Sequence, residues 1–296
     1  MPDIALRFHK DMLVFSAPLE FALAHQGIDA ERDRGYLTLM EPEALRDALR
    51  MEQLAGAQCL VTATSAITPA RLAARRLERD AARLAKASCA LVRELAPQHL
   101  IVEIGPCGLP LDPSSKASLN EHRDQYVRAA RLFADEQVDA LFLNGFSNTT
   151  DLKCALMGAF QVCEVPLFAS IDVDAEGALD GGRETLEEAC AVMAGLDAAV
   201  MGFACACGPE QAASLARRAR AAADLPLLVQ LQVTRNAPKQ GIPTEANPYG
   251  RPDSLISAAA HLHAAGAQFL RATGEATSAF TGALAATVLG LGVAGR

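Results

Sequence analysis

The stretch Ala198–Pro209, AAVMGFACACGP, has the pattern of a buried parallel strand that feeds a crossover helix. Its apolar run ends in Cys205 and Cys207, and the Gly208-Pro209 pair then interrupts it. The two cysteines are therefore expected at the carboxyl end of a strand, where α/β barrels place their chemistry. A thiolate there would bind zinc or attack an electrophile. The alternative is a buried thiol that only fills space.

Seven further apolar runs alternate with helical patterns along the 296 residues. These runs are Met12–Ser16, Gln58–Thr64, His99–Gly105, Val138–Asn144, Val165–Asp172, Leu225–Gln232 and Ala267–Ala272. Strands that alternate with helices form a parallel sheet. Eight such units predict a single α/β domain over residues 1–296, a closed (β/α)8 TIM barrel. An open doubly wound sheet is the competing fold, but no G-x-G-x-x-G motif follows the first run.

Two connections carry expectations of their own. Thr68 and Pro69 favour a helix start, and the pattern predicts one long helix from there to about Leu95, with Thr68 as its N-cap. The longest irregular connection is Thr234–Pro252. A loop of this length is either functional, for example as a docking surface for a partner, or an ordinary surface loop.

The composition of the chain indicates which binding partners and which cellular compartment are expected for the protein. The net charge is −8, and no basic run is present, so nucleic acid and acidic membranes are not expected as partners. No apolar stretch reaches the roughly 20 residues of a membrane span. Met1–Lys10 lacks the apolar core of a signal peptide. The eight cysteines have no disulfide-framework spacing, so we expect reduced thiols and a cytoplasmic protein.

The carboxyl ends of the predicted strands carry polar side chains and thiols. They are Ser16, Thr62, Thr64, Glu103, Asn144, Asp172, Cys205, Cys207, Gln232, Thr273 and Glu275. Glu103 and Asp172 are either an acid–base pair or hydrogen-bonded structural anchors. No lysine lies at a strand end, which argues against a Schiff-base aldolase. The histidines His99, His261 and His263 fall elsewhere in the pattern and are expected to be structural.

Several short motifs follow one another in an order and spacing known from one family. They are AGA at 55–57 with TAT at 62–64, IGP at 104–106, MGFAC at 201–205 with GP at 208–209, and GA at 266–267. Together they resemble the homocysteine-binding domain of the homocysteine S-methyltransferase family. That family includes the betaine-dependent enzyme and the N-terminal barrel of cobalamin-dependent methionine synthase. The resemblance implies a barrel that methylates a thiol, as in methionine biosynthesis.

The chain departs from the family at the residues that hold zinc and substrate. The family binds zinc through three thiolates, and zinc binds the homocysteine sulfur. Cys205 matches the first thiolate, whereas Thr273 and Gly274 replace the adjacent pair. Asn144 stands where the family has the glutamate that holds the substrate ammonium. One thiolate alone does not make a zinc site.

We therefore expect that the purified protein does not hold stoichiometric zinc in the family's manner. The alternative is a rebuilt zinc site that uses Cys205, Cys207 and Glu275. The resemblance implies a small-molecule substrate. Because this chain has no cobalamin module, a corrinoid or folate methyl donor would be carried by a separate protein.

Two functions follow as hypotheses. The first is a methyltransferase acting on a homocysteine-like thiol or another small acceptor. Its predicted catalytic residues are Cys205, Glu103 and Asp172, and its predicted substrate-binding residues are Thr64, Asn144, Cys207, Gln232, Thr273 and Glu275. The second is a non-catalytic barrel that binds a small ligand or a partner subunit, which the lost zinc and substrate positions favour.

Overall fold

The computed structural model describes residues 3–29, 36–234 and 247–294. It contains one parallel sheet of eight strands, in the order β1-β8-β7-β6-β5-β4-β3-β2. The strands are β1 (Leu13–Val14), β2 (Cys59–Val61), β3 (His99–Ile104), β4 (Ala140–Phe146), β5 (Leu167–Asp172), β6 (Val200–Cys205), β7 (Leu227–Val233) and β8 (Phe269–Gly274). Each predicted apolar run contains one of these strands.

Helices connect the strands on the outside of the sheet. Within the described residues they are α1 (Glu20–Ala24), α2 (Leu37–Met40), α3 (Pro42–Leu54), α4 (Pro69–Ala73), α5 (Ala81–Glu94), α6 (Lys116–Arg131), α7 (Thr149–Phe160), α8 (Leu186–Gly195), α9 (Pro209–Ala222), α10 (Ser254–Ala264) and α11 (Ser278–Ala294). Short 3-10 helices cover Ile4–Arg7 and Glu78–Asp80. None of the helices in the described ranges is long and apolar enough to span a membrane.

The sheet closes between its first and second strands. Phe15 and Cys59 form a parallel bridge. The Ser16 amide donates to the Cys59 carbonyl at 2.9 Å, and the Gln58 amide donates to the Val14 carbonyl at 2.9 Å. This contact joins the two ends of the strand order and confirms the predicted (β/α)8 barrel.

Side chains complete the closure because β1 is only two residues long. The Val14 amide donates to Gln58 Oε1 at 2.8 Å, and the Val61 amide donates to the Ser16 hydroxyl at 3.0 Å. These two bonds give the Val14 and Val61 amides hydrogen-bond partners, in place of the backbone pairing that a longer β1 would make with β2. Met12–Ser16 therefore forms a shorter strand than the sequence predicts.

The barrel interior is filled at its lower end by aromatic rings. Phe15, Phe142, Phe168 and Phe269 are fully buried, and the Phe168 and Phe269 ring centroids are 5.2 Å apart. Phe8 covers this layer from below, with its ring 6.0 Å from that of Phe168. The interior is thus a packed core, and only the end above the aromatic layer is open to chemistry.

The predicted helix from Thr68 to about Leu95 is wrong. The segment is divided into α4, the 3-10 turn Glu78–Asp80 and α5. Arg76 has φ +59°, and the Leu77 amide donates to the Leu72 carbonyl at 3.0 Å, so α4 ends and Leu77 is buried. Thr68 makes no side-chain capping bond, and its buried hydroxyl has no hydrogen-bond partner within the described residues.

Candidate functional site

A buried arginine organises the layer above the aromatic rings. The Arg271 side chain, on β8, is 2% exposed, and its guanidinium lies 5.7 Å from the centre of the Phe142 ring. Its Nη2 donates to Glu103 Oε2 at 3.0 Å, and its Nε donates to the Ser16 carbonyl at 3.0 Å. Because the cation is almost fully desolvated, the Glu103 carboxylate is the partner that makes its burial tolerable.

Amide side chains extend this ion pair across the barrel. Asn144 Nδ2 donates to the other carboxylate oxygen of Glu103 at 2.9 Å. Gln230 Nε2 donates to Asn144 Oδ1 at 2.7 Å and to the Ser170 hydroxyl at 2.8 Å, and Gln230 Oε1 accepts from Arg271 Nη1 at 3.3 Å. One connected network therefore joins strands β3, β4, β5, β7 and β8 and fixes the carboxylate in place.

Two threonine hydroxyls hold the backbone of Glu103. The Glu103 amide donates to Thr62 Oγ1 at 3.2 Å, and Thr64 Oγ1 donates to the Glu103 carbonyl at 2.7 Å. The hydroxyls of Thr62 and Thr64 are 2.6 Å apart, so the Thr62 hydroxyl donates to Thr64. Both threonines are buried, and in this structure they position Glu103.

An open cleft of about 520 Å³ lies at the mouth of the barrel, a size that suits a small-molecule ligand. Its wall combines two carboxylates, an amide, two hydroxyls and two arginines. They are Glu20, Glu103, Asn144, Ser65, Thr273, Arg71 and Arg75. A smaller adjoining cavity shares Glu103 and adds the apolar side chains of Leu19, Leu23, Leu37 and Leu45.

Asp172 ends strand β5 and has a perturbed pKa. Desolvation by the surrounding barrel wall raises its pKa to about 6, and the charge of Glu103 adds to the shift. Asp172 is nevertheless an exposed residue at the end of the strand, so its carboxyl group is open to solvent. A carboxyl group with this pKa exchanges protons near neutral pH, as a general acid or base must.

Cys205 lies at the end of β6, as predicted, but its side chain belongs to the core outside the barrel. In the sheet it is paired with Leu231, which is paired with Ala272, and all three are in the apolar cluster between strands and helices. Its neighbour Ala204 shares its sheet row with Asp172 and Gln230, which face the interior. Cys205 is 1% exposed. The structure therefore separates it from Glu103 and Asp172.

The two thiols of this turn interact with each other. A hydrogen bond from the Cys205 thiol lowers the pKa of Cys207, and the same bond together with burial raises the pKa of Cys205. Cys207 is also buried, and neither thiol lines the mouth cleft described above.

Positions 273 and 274, where the family has its adjacent cysteine pair, do not place two metal-binding side chains in the mouth. Gly274 has φ +68°, and a Cβ atom there would lie 2.6 Å from the Val233 carbonyl oxygen. A cysteine at 274 would need this turn to move. Thr273 lines the mouth cleft, and Glu275 lies two residues further along the chain. Gln232, near the end of β7, is exposed.

The described residues hold one set of three cysteine, histidine or acidic side chains whose ligand atoms all lie within 4.8 Å of one another. The set is Cys107, His122 and Asp151, and it lies outside the mouth. Cys205, Cys207 and Glu275 do not form such a set in these ranges. The residues of the mouth therefore do not fit the three-thiolate zinc site of the family. The prediction about zinc in the purified protein stays a prediction.

Sequence reasoning missed the side chains that come from inside the strands. Ser170, Gln230 and Arg271 are mid-strand residues, and attention to strand ends alone passes over them. An arginine within the apolar run FLRA at 269–272 was the available signal, because an unpaired buried arginine is rare. His99 is buried at the start of β3, as expected of a structural residue. The predicted docking loop falls mainly on residues 235–246, which lie outside the described residues.

Comparison with known proteins identifies the family and the fold. The family model for homocysteine S-methyltransferase matches residues 18–271, which confirms the resemblance seen in the motifs. The metallated form of the homocysteine methyltransferase MmuM from Escherichia coli matches with a TM-score of 0.76 and 19% identity, over 94% of this chain and 96% of that chain. Its oxidized form matches with a TM-score of 0.75 and 20% identity over the same shares.

A carboxyl transferase domain shows the same fold at greater distance. The domain from Rhizobium etli pyruvate carboxylase has a TM-score of 0.52 and 17% identity, over 90% of this chain and 40% of that chain. No curated protein matches the sequence of this chain significantly.

Proposed function

Because the chain belongs to the homocysteine S-methyltransferase family, we propose that it methylates a small thiol that carries both an ammonium and a carboxylate group. The family supports an S-methyltransferase-related enzyme with a thiol acceptor and a small-molecule substrate. The proposal adds that the acceptor is a zwitterion and that it binds in the mouth cleft. It also proposes a separate corrinoid or folate protein as the methyl donor, a partner that the family resemblance implies.

The position of the Glu103 carboxylate carries this proposal. In the family, a strand-four glutamate holds the substrate ammonium, and Asn144 replaces it here. Asn144 Nδ2 donates to Glu103 Oε1 at 2.9 Å, so a carboxylate from the neighbouring strand occupies the same part of the mouth. Glu103 would then hold the ammonium group in place of the missing glutamate.

The arginines of the cleft supply the complementary charge. Arg71 and Arg75 line the same cleft as Glu103. Arg71 Nε donates to the Pro106 carbonyl at 3.2 Å, which places its guanidinium at the cleft wall. A cleft that is lined by carboxylates and by guanidinium groups suits a zwitterionic amino acid better than a simple alkyl thiol.

Asp172 is proposed as the general base. It takes the proton from the acceptor thiol, and the thiolate sulfur then attacks the methyl carbon of the donor. The new sulfur–carbon bond forms as the bond from the methyl carbon to the donor breaks. With a pKa of about 6, Asp172 is ionised at neutral pH and is able to accept the proton. No step is assigned to zinc, and the direct role predicted for Cys205 stays a prediction.

The proposed compartment is the cytoplasm. All eight cysteines are free thiols, including seven that are buried. Free thiols persist where glutathione and thioredoxin keep proteins reduced.

Calorimetric titration with three thiols tests the binding part of the proposal. Homocysteine has both charged groups, 4-mercaptobutyrate lacks the ammonium, and 3-mercaptopropylamine lacks the carboxylate. We expect each analogue to bind at least about tenfold more weakly, because a lost hydrogen bond to a charged group costs about 1.5–3 kcal/mol. Glu103→Gln should weaken homocysteine binding much more than 4-mercaptobutyrate binding. Glu94→Gln, on the exposed face of α5, is the matched control.

Turnover is tested with homocysteine and donors of four classes: methylcorrinoid, methylfolate, sulfonium and quaternary ammonium. Cys205→Ser in the same assay tests the predicted catalytic cysteine. If homocysteine binds no better than the analogues and no donor supports turnover, the proposal is wrong. The barrel would then be a ligand-binding or partner-binding protein without catalysis.

A further inference from the structure

We propose that Cys107, His122 and Asp151 supply three protein ligands of a buried site for a divalent cation of the zinc class, separate from the mouth of the barrel. Cys107 lies in the loop after β3, His122 is on α6, and Asp151 is in the first turn of α7. The inference is independent of the proposed methyl transfer, since it concerns how this loop and these helices are held together.

The three ligand atoms already face one point. Cys107 Sγ is 3.5 Å from His122 Nδ1, and His122 Nδ1 is 2.9 Å from Asp151 Oδ1. Thiolate, imidazole and carboxylate are the usual protein ligands of zinc. Ligands on a tetrahedral ion lie roughly 3–4 Å apart, given metal–ligand bonds of about 2.0–2.3 Å. The His122–Asp151 pair must open slightly to admit an ion, and all three ligand atoms lie within 4.8 Å of one another.

The hydrogen bonds of His122 leave its Nδ1 facing acceptors. Nε2 is 3.3 Å from the Pro110 carbonyl, and Nδ1 is 2.9 Å from Asp151 Oδ1, so both ring nitrogens face acceptor oxygens. Without a metal, a ring proton on Nδ1 is donated to Asp151. With the ring proton on Nε2, the Nδ1 lone pair and the Asp151 oxygen both point at the position of a cation. The Cys107 sulfur beside the same nitrogen gives a metal ion its third ligand.

The surroundings resemble the outer shell of a metal site. A ligating histidine usually donates its other ring N–H to a carbonyl or a carboxylate, as Nε2 does here. The Tyr126 hydroxyl donates to Asp151 Oδ1 at 2.9 Å and accepts from the Cys107 amide at 3.0 Å, so it orients two of the three ligands. Two anionic ligands also neutralise a divalent cation, which lowers the cost of burial.

The cluster is buried and adjoins the mouth. The exposed fractions of Cys107, His122 and Asp151 are 1%, 2% and 8%. Pro106, the residue before Cys107, lines the mouth cleft. A bound ion would therefore tie one wall of the cleft to α6 and α7, and it would enter during folding or local opening rather than from the surface.

Metal content measures the site directly. Protein is prepared without chelators from cells supplied with zinc, and zinc per chain is determined by mass spectrometry. We expect about one zinc per chain in the wild type and in the Cys205→Ser/Cys207→Ser double variant, and almost none in Cys107→Ser. Cobalt-loaded wild-type protein should show the near-ultraviolet absorption of a thiolate–cobalt bond, and Cys107→Ser should lack it.

A second variant guards against misfolding. Asp151→Asn keeps an acceptor for the Tyr126 hydroxyl but removes the anionic ligand, so it should fold and lose zinc. Zinc should raise the midpoint of thermal unfolding in the wild type and in neither ligand variant. A wild type without zinc or cobalt absorption after loading would overturn the proposal and leave a hydrogen bond between His122 and Asp151 in place of a metal site. Zinc that persists in Cys107→Ser and disappears in the double variant would overturn it as well and place the ion at Cys205 and Cys207.

Discussion

Glu103 and Asp172 show how one carboxylate can set the ionisation of another. Arg271 binds one oxygen of Glu103 and Asn144 binds the other, which holds this side chain in place. Desolvation raises the pKa of Asp172 to about 6, and the charge of Glu103 adds to the shift. The two environments separate the roles of the two acids, one for binding and one for proton transfer.

This difference predicts a pH profile for methyl transfer. The value of kcat/KM should rise with pH through about 6, because Asp172 acts as a base only after it loses its proton. Asp172→Asn should remove this rise and lower kcat by roughly 10²–10⁴-fold. Glu103→Gln should move the rise to lower pH, since it removes a charge that raises the pKa of Asp172. The pH profile of Glu94→Gln should match the wild type, and a rise that survives in Asp172→Asn would assign the base elsewhere.

At the residue scale, the sequence predicts residues that line the mouth cleft but not the buried residues that hold them in place. Glu103, Asn144 and Thr273 line the cleft and are visible from the sequence because they follow apolar runs. Arg271 and Gln230 lie within such runs, and only the three-dimensional sheet shows that they reach Glu103. The side chain of Cys205 was predicted at the correct strand end. Its direction depends on the strand register, which one sequence does not fix.

At the scale of elements, α6 and α7 pack unusually closely. A Cβ atom on Gly158 would lie 2.6 Å from the Arg123 carbonyl oxygen and 3.0 Å from Tyr126 Cβ. Only a glycine at position 158 lets the two helices approach this closely. Tyr126, which this glycine contacts, also bonds to Cys107 and Asp151 through its hydroxyl. The long helix predicted after Thr68 is likewise an error about an element, because the segment is divided into two helices and a 3-10 turn. Arg76 adopts a positive φ that ends the helix, and the turn places the Leu77 side chain in the core.

The close approach predicts a large effect for a small substitution. Gly158→Ala should destabilise the protein by about 1–3 kcal/mol, because the methyl group must push α6 away from α7. Gly195→Ala is the matched control, since nothing lies within 4 Å of a Cβ at the end of α8. That variant should be neutral or more stable by up to about 1 kcal/mol, as expected for alanine in a helix. Urea unfolding of both variants checks the prediction, and equal midpoints would contradict it.

At the scale of the whole molecule, the barrel could be predicted because its eight units repeat one pattern. Each strand is a short apolar run, each helix follows it, and the family motifs fall at the strand ends. The way the barrel closes could not be predicted in this manner. Strand β1 contributes two residues to the sheet, and the Gln58 and Ser16 side chains replace part of its pairing with β2. Side-chain bonds to a distant backbone leave no periodic signal in the sequence.

The closure itself is testable through Ser16. Its buried hydroxyl accepts from the Val61 amide at 3.0 Å, and its carbonyl accepts from Arg271 Nε, so Ser16 connects the seam to the polar layer. Ser16→Ala removes only the hydroxyl and leaves the Val61 amide buried without a partner, which should cost about 1–3 kcal/mol of unfolding free energy. Ser257→Ala, on the exposed surface of α10, should change stability by less than about 0.5 kcal/mol.

Hydrogen exchange distinguishes an opened seam from a general loss of stability. In Ser16→Ala, the amides of residues 14–16 and 59–61 should lose more protection than those of β5 and β6 on the far side of the barrel. That result is expected because β1 and β2 are joined by few bonds, so their contact opens before the rest of the sheet. If protection falls equally in all eight strands, the seam is no weaker than the other strand pairs and the side chains do not control closure.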